Sequence, residues 1–340
     1  MMSTDAPIEE RPQRQEVARR DLSATLRLVR TFMLPALLII EFVTFSLLSR
    51  EFLSAGNLLN VVTNASDLAF IAAGLTLVIL LGGIDVSTGF AVGLIAWVTA
   101  TLLNQTVPPV LVLVAALAAG GVAGLINGTL VARLSIPSIV ATLGTSAIFQ
   151  TLLFMLWNST DLFAPPVFGF LSGREKVFGI PLLVILILAT YLVLAPVLSR
   201  TRFGRSVYAI GSNREAAELA GINVRRVRLT CYAILGVLVG LAACTYLGRV
   251  GVVQASSGNE LTLQAIAAVV VGGTSILGGE GSMLRTLGGL VFIVVLQNGV
   301  VLAGVPPLWN GLMVGLVILL AVSIDGLLVK IDAGKSRAVA

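Results

Sequence analysis

Residues 180–249 read IPLLVILILATYLVLAPVLSRTRFGRSVYAIGSNREAAELAGINVRRVRLTCYAILGVLVGLAACTYLGR, and this apolar, basic, apolar succession decides the fold. The run near 180–199 contains no charged residue, and the run near 229–249 carries a charge only at Arg249. Between them, Arg200 to Arg228 holds seven arginines (Arg200, Arg202, Arg205, Arg214, Arg225, Arg226 and Arg228) against Glu215 and Glu218. A helix that crosses a bilayer needs roughly 20 mostly apolar residues, because the hydrocarbon core is about 30 Å thick. Both flanking runs meet that length. Working outward, ten such runs occur, near 30–49, 64–82, 86–104, 109–131, 138–158, 180–199, 229–249, 261–279, 284–303 and 308–328. None alternates apolar and polar residues as barrel strands do. With 57% hydrophobic and 11% charged residues, the sequence predicts an all-α polytopic membrane protein of about ten transmembrane helices.

Basic residues give the orientation. With the N-terminus inside, ten spans return the C-terminus to the same side, and 18 of the 22 Lys and Arg residues fall on inside segments. Only Arg50, Arg174, Lys176 and Arg249 are left outside. The positive-inside rule expects this asymmetry, so both termini are expected to be cytoplasmic in a multi-pass protein of the plasma membrane. The net charge of +5 then reflects topology, with no case for nucleic-acid binding.

Residues 1–29 are polar, mixed in charge and contain Pro7 and Pro12, which reads as a disordered cytoplasmic tail. A transmembrane domain over 30–328 follows, with a cytoplasmic loop at 200–228 and a short cytoplasmic tail at 329–340. The first apolar run is too long for a signal-peptide core. Cys231 and Cys244 share one expected helix, about 20 Å apart at 1.5 Å per residue, beyond disulfide reach. The absence of histidine excludes His-ligated zinc and Ser-His catalysis, and no metal site is expected. No G-x-x-x-x-G-K-[ST] phosphate loop is present, so nucleotide hydrolysis by that route lies elsewhere.

Glycine organises the spans. Gly120, Gly124 and Gly128 form a small-xxx-small stripe, as do Gly236 and Gly240, which lets helix backbones approach closely. The pairs Gly82-Gly83, Gly272-Gly273, Gly278-Gly279 and Gly288-Gly289 lie at or near expected helix ends, beside Asp85, Ser87, Thr274, Ser275 and Glu280. They predict broken or re-entrant helices, tolerated in a membrane only where the opened backbone is buried in protein or lines a cavity.

Polar residues within the apolar runs are the candidates for a solute pathway. Asn60, Asn64 and Asp67 recur at helical spacing and are expected on one face. Asn127 sits one residue before Gly128 on the glycine-striped run, Thr142, Thr145 and Gln150 lie on the fifth run, Gln264 on the eighth, and Gln297 and Asn298 on the ninth. An ionised aspartate at the bilayer centre costs about 2.5–3.5 kcal/mol on insertion scales, so Asp67 and Asp85 should face the bundle interior or a hydrated interface. Interhelical hydrogen bonding is the alternative role for the amides and hydroxyls. The pathway reading takes Asn64, Asp67, Asp85, Ser87, Asn127, Thr142, Thr145, Gln297 and Asn298 as a conduit with few charges, suited to a neutral hydroxylated solute.

The basic loop contains a short helix signal. Ser212 through Glu215 has the S-x-x-E spacing of a capping box. Helix formers continue to Ala220, and Gly221 suits a left-handed C-terminal cap. A helix of about eight residues is unstable alone in water, so it must dock on something. Ala216 and Ala217 offer a narrow face for a groove, and flanking arginines can pair with acidic groups.

At this point the sequence resembles the permease subunits of bacterial ATP-binding-cassette importers, in the branch serving ribose, xylose and related monosaccharides. The carrying segments are TRFGRSVYAIGSNREAAELAGINVRRVR, GGIDVSTG at 82–89, NGTLVARLSIPSIVATLGT at 127–145, AIAAVVVGGTSILGG at 265–279 and GLVILLAVSID at 315–325. The resemblance covers nearly everything from about residue 30 to 326 in one order and spacing. Two segments depart from ribose permeases: Gln264 replaces the carboxylate nearest the eighth span, and Pro306 through Asn310 differs.

The resemblance implies an importer permease fold in the bacterial inner membrane. It also implies that Ser212, Asn213, Arg214, Glu215, Ala216, Ala217 and Gly221 couple the chain to a cytoplasmic ATPase. ATP and Mg would be bound by that partner, with no cofactor in this chain. A second permease subunit, identical or paralogous, and a periplasmic or lipid-anchored sugar-binding protein complete the expected assembly, the latter meeting loops 159–179 and 251–260. The rival readings are a secondary carrier or channel, which needs no partner at the loop, and a membrane enzyme, for which no reactive constellation is evident.

Overall fold

The computed structural model describes residues 32–165, 176–177 and 180–337, with side chains through Ser323 except at 176–177. The expected N-terminal tail lies outside these residues, as does most of loop 159–179. Helices α1 (Phe32–Leu48), α2 (Ala55–Asn64), α3 (Ser66–Leu80), α4 (Thr88–Asn104), α5 (Pro109–Ala132) and α6 (Ser138–Trp157) form the first half. Then come α7 (Leu182–Arg200), α8 (Arg202–Ser212), α9 (Arg214–Leu219), α10 (Val224–Val250), α11 (Leu261–Val271), α12 (Met283–Leu302) and α13 (Asn310–Arg337). The last helix continues beyond the domain boundary expected at 328.

Helix α3 is the axis of the bundle. All fifteen of its residues are buried, as expected of a helix that is apolar all round, and α7, α10, α11 and α12 pack around it. The outer helices have one lipid-facing side: α5 and α7 are highly apolar, yet residues such as Leu192 and Val110 point away from the protein. Because lipid is as apolar as leucine, close backbone approach rather than hydrophobic burial must bring these helices together. The α5–α10 pair shows this directly. A Cβ on Gly120 would strike the carbonyl of Gly236, one on Gly124 the carbonyl of Tyr232, and one on Gly240 the carbonyl of Ala116. The two expected glycine stripes therefore face each other.

Among the described residues, five helices are long and apolar enough to cross a membrane, or six if the bent pair α2–α3 counts as one span. Several of the ten expected runs are shorter as helices than as apolar sequence. The run 261–279 yields only the eleven-residue α11, about 16 Å long at 1.5 Å per residue. It stops because Gly273, Gly278, Gly279 and Gly281 adopt positive φ and carry the chain through a non-helical link to α12. The expected break at Gly82-Gly83 is present, in the extended link between α3 and α4. Gly288 and Gly289, expected near a break, instead sit inside α12, where Gly289 receives the backbone of Ala268 and Gly272. The common face expected for Asn60, Asn64 and Asp67 is also interrupted, because α2 and α3 meet at Ala65 with a bend of 44°.

Outside the bundle, β1 (Leu162–Phe163) pairs antiparallel with β4 (Val252–Val253), and β2 (Lys176–Val177) pairs with β3 (Ile180–Pro181). The first pair joins the two expected outer loops into one unit. Gln254 Nε2 donates to Asp161 at 2.8 Å, and Trp157 Nε1 donates to its other oxygen at 2.8 Å. These bonds hold the Asp161 carboxyl below its ordinary range, the Gln254 bond contributing most. Cys231 and Cys244 are free and buried in α10.

Candidate functional site

The basic loop folds into two helices. Amphipathic α8 begins at Thr201, whose hydroxyl accepts from Gly204 N at 3.2 Å, and buries Val207 and Ile210 against the bundle. Tyr208 donates its hydroxyl to Gly281 O at 2.8 Å. The C-terminal end of α8 lies in a seam between both helix breaks. Gly279 N donates to Leu80 O at 2.9 Å. A Cβ on Gly211 would collide with that same Leu80 carbonyl, and one on Gly279 would meet Ser212 Oγ at 2.6 Å. Thus α8 touches the end of α3 and the α11–α12 link together.

Helix α9 follows after one residue. Its N-cap is Asn213, whose side chain accepts from Ala216 N at 3.0 Å. Ser212, expected to cap, is instead the last residue of α8. The chain turns at Asn213 (φ −156°, ψ 105°), so the asparagine occupies the extended position that a cap requires. The C-terminal end is as expected: Gly221 has φ +80°, Gly221 N donates to Glu218 O at 3.0 Å, and Ile222 N donates to Ala217 O at 3.0 Å. This pairing is the Schellman arrangement. Six residues, Arg214–Leu219, are helical, against about eight expected.

The exposed face of α9 differs from expectation. Ala217 is buried, while Ala216 and Glu215 point outward, so the alanine pair is not one docking face. Arg214 pairs with Glu218 through Nε at 3.0 Å. Leu219, not singled out in the sequence, is 90% exposed at the end of the helix. Its exposure and not its identity marks it out, so the sequence alone carried no signal for it.

Of the nine pathway candidates, Asn64, Asp67, Gln297 and Asn298 line one cavity of about 520 Å³, together with Tyr246, Arg249, Glu260 and Gln264. Asp67 accepts from Arg249 Nη2 at 2.5 Å and from Leu68 N at 3.0 Å. Asn298 exchanges two amide hydrogen bonds with Asn57, both at 2.9 Å. Gln297 Nε2 is buried without a partner among the described residues. The amide and ion-pair partners Asn57 and Arg249 are new from the structure. Asp67 and Arg249 are 182 positions apart, and no local pattern in the sequence joins them.

The other five candidates do not line this cavity. Asp85 Oδ1 accepts from Ser87 N at 2.8 Å and from Ser87 Oγ at 2.7 Å, and its Oδ2 accepts from Asn127 Nδ2 at 3.0 Å. Thr142 Oγ1 accepts from Val86 N at 3.1 Å, and Ser138 Oγ accepts from Ile84 N at 3.1 Å. Thr262 Oγ1 accepts from Gly89 N at 2.7 Å. These side chains satisfy the backbone opened between α3 and α4, which lipid-depth segments require. Thr145 is buried one turn further along α6 and donates to Thr142 O at 3.3 Å.

A protein family described as branched-chain amino acid transport system / permease component matches residues 57–322. The chain belongs to this family of transport permeases. Among individual relatives, it is similar to the ribose import permease protein RbsC of Bacillus subtilis (strain 168), 37% identical over 290 residues, covering 85% of this chain and 90% of that protein. It is 34% identical over 318 residues to the autoinducer 2 import system permease protein LsrC of Escherichia coli O9:H4 (strain HS), covering 90% of this chain and 87% of that one. It is 33% identical over 314 residues to the fructose import permease protein FrcC of Rhizobium meliloti, covering 87% of this chain and 85% of that one. No solved structure matches the chain significantly.

Proposed function

We infer that the chain is the membrane-embedded permease subunit of an ATP-binding-cassette importer that moves a monosaccharide or a similar small polyol inward. The observation that carries this reading is the capped helix α9, with Leu219 bared at its end, joined to α8, which itself touches both broken-helix links. Relatives named for ribose, fructose and autoinducer 2 support the solute class. ATP hydrolysis belongs to a cytoplasmic partner that binds ATP and Mg, and a second permease subunit and a sugar-binding protein complete the importer. About ten crossings follow from the apolar runs, both termini inside from the distribution of basic residues, and the bacterial inner membrane from the resemblance to importer permeases.

In this reading the segment 212–221 receives the ATPase. Glu215, Ala216 and Leu219 make the contact, Asn213 and Gly221 fix the helix ends, Ala217 seats the helix on α10, and Arg214 holds Glu218. The 520 Å³ cavity is the solute vestibule, with Asn64, Asp67, Gln264, Gln297 and Asn298 supplying hydrogen-bond partners for hydroxyl groups. Asp85, Ser87, Asn127, Thr142 and Thr145 brace the broken helix that moves. The β1–β4 unit lies on the outer face, where the binding protein delivers its sugar. A direct test is co-purification of the cognate ATPase with the solubilised chain. Leu219→Glu should reduce recovery of the ATPase by about tenfold, the effect of losing an anchor worth more than 1 kcal/mol. Full recovery with Leu219→Glu would remove α9 as the docking element.

A further inference from the structure

A second cavity, of about 360 Å³, opens between the ends of α3 and α5, the start of α6, and helices α9 and α10. Its lining is cationic and rich in donors. Arg214 and Arg228 both face it, with Ser135, Ser138 and Tyr232. Arg214 engages Glu218 through Nε alone, which leaves both of its Nη groups available. Arg228 is half-buried, with no hydrogen bond and no carboxylate within 4.0 Å among the described residues. Tyr232 is 1% exposed, and its hydroxyl makes no hydrogen bond of full geometry among the described residues, with only the Ser138 hydroxyl interacting with it. The nearby carboxylate of Asp85 is already occupied by Ser87 and Asn127.

A half-buried guanidinium met by Glu218 only at longer range, and a buried hydroxyl without a hydrogen bond of full geometry, are each costly to maintain without a ligand. Both converge on the same space, beside a second arginine. Donors arriving from α9, α10 and the α5–α6 link surround a tetrahedral anion better than a planar carboxylate, and arginine is the side chain suited to phosphate oxygens. We propose that this cavity binds a phosphate-bearing anion, which bridges Arg214 on α9 to Arg228 and Tyr232 on α10. Its occupancy would therefore bear on the position of α9. Its cytoplasmic placement rests on the function inferred above, whereas binding itself does not depend on it.

The full chain in phosphatidylcholine nanodiscs, with both faces accessible, provides the test. Calorimetric titration with glycerol 3-phosphate should show saturable binding, weakened about tenfold by Arg228→Gln and several-fold by Tyr232→Phe, the scale of a lost charged or neutral hydrogen bond. Arg133→Gln, outside the cavity, should bind as the wild type does. Tyr232→Phe keeps the ring and its packing, so the test survives if the arginine variant fails to fold. In a second arm, native mass spectrometry after exposure to phosphatidylglycerol separates the sources. Lipid retained by the wild type and released by Arg228→Gln assigns the site to a lipid phosphate, whereas binding of the soluble ester alone assigns it to a free one. No saturable binding in either arm, or binding unaffected by both substitutions, would overturn the proposal. So would glutamate binding as tightly as the phosphate ester, which would instead assign the cavity to a partner's carboxylate.

Discussion

Asp67 and Arg249 form the one ion pair inside the apolar part of the bundle among the described residues, with the carboxylate 1% exposed and the guanidinium 27% exposed. Removing one partner from a buried pair leaves an uncompensated charge, which costs more than the pair contributes. Arg249→Gln should destabilise the protein by about 3 kcal/mol, the low end for such pairs because the guanidinium keeps some water. Thermal unfolding in detergent micelles measures this, and Asp67→Asn combined with Arg249→Gln should recover most of the loss. A double variant no more stable than the single one would show that the charges do not act as a pair. The sequence made Asp67 conspicuous as an acid in an apolar run, but it held no trace of the partner, since a contact between distant helix ends has no local pattern. Leu219 was hidden for the opposite reason: a leucine in a short amphipathic segment is ordinary until its exposure is known. Asn213 displaced Ser212 as cap because two helices, not one, occupy the basic loop.

Among the elements, the α5–α10 contact was the most legible, because a four-residue glycine spacing has a single geometric consequence on a helix. Gly124→Leu would drive a side chain into the backbone of Tyr232 and Gly236, which cannot yield as a side chain end can. It should cost about 3 kcal/mol, the upper part of the usual overpacking range, seen as a lower melting temperature and poor recovery of folded protein. Unchanged melting would mean that the two helices do not pack at Gly124. Helix breaks were only half legible. Glycine pairs mark both true breaks and close packing, and nothing local separates Gly278-Gly279, in a turn, from Gly288-Gly289, inside α12. Beside the β1–β4 backbone pairing, the side-chain tie from Asp161 to Gln254 and Trp157 is strongest with the carboxylate ionised. Its pKa is depressed by hydrogen bonds from Gln254 and then Trp157. The tie is therefore present above the ordinary aspartate range and lost only as pH falls through the depressed value. Titrating Trp157 fluorescence should give a midpoint below that of free aspartate, and Asp161→Asn should abolish that transition. A midpoint in the ordinary aspartate range would contradict the two bonds.

For the whole molecule, hydropathy gave the class without giving the spans. Among the described residues, five or six helices reach crossing length, since α1, α4 and α11 are short and α3 bends against α2, while α13 runs on past the residues described with side chains. Such interruptions are tolerated because Asp85, Ser138, Thr142 and Thr262 cover the opened backbone from neighbouring helices. The same arrangement leaves a physical route from α9 to the 520 Å³ cavity. Helix α9 adjoins α8, α8 meets Leu80 and Gly279, and α3 runs from that seam to Asp67 at the cavity. A displacement of α9 therefore has packed elements through which to reach that cavity, without a flexible linker to absorb it.

The most direct test is transport in proteoliposomes that contain this chain and its cognate ATPase, with ATP at the α9 face and the loaded binding protein at the opposite face. The wild type should accumulate labelled sugar only when ATP is present. Glu215→Lys, which reverses the charge on the exposed face of α9 without touching the vestibule, should reduce accumulation to the ATP-free level while the protein still inserts. Accumulation without ATP, or wild-type uptake by Glu215→Lys, would contradict the assignment of coupling to α9.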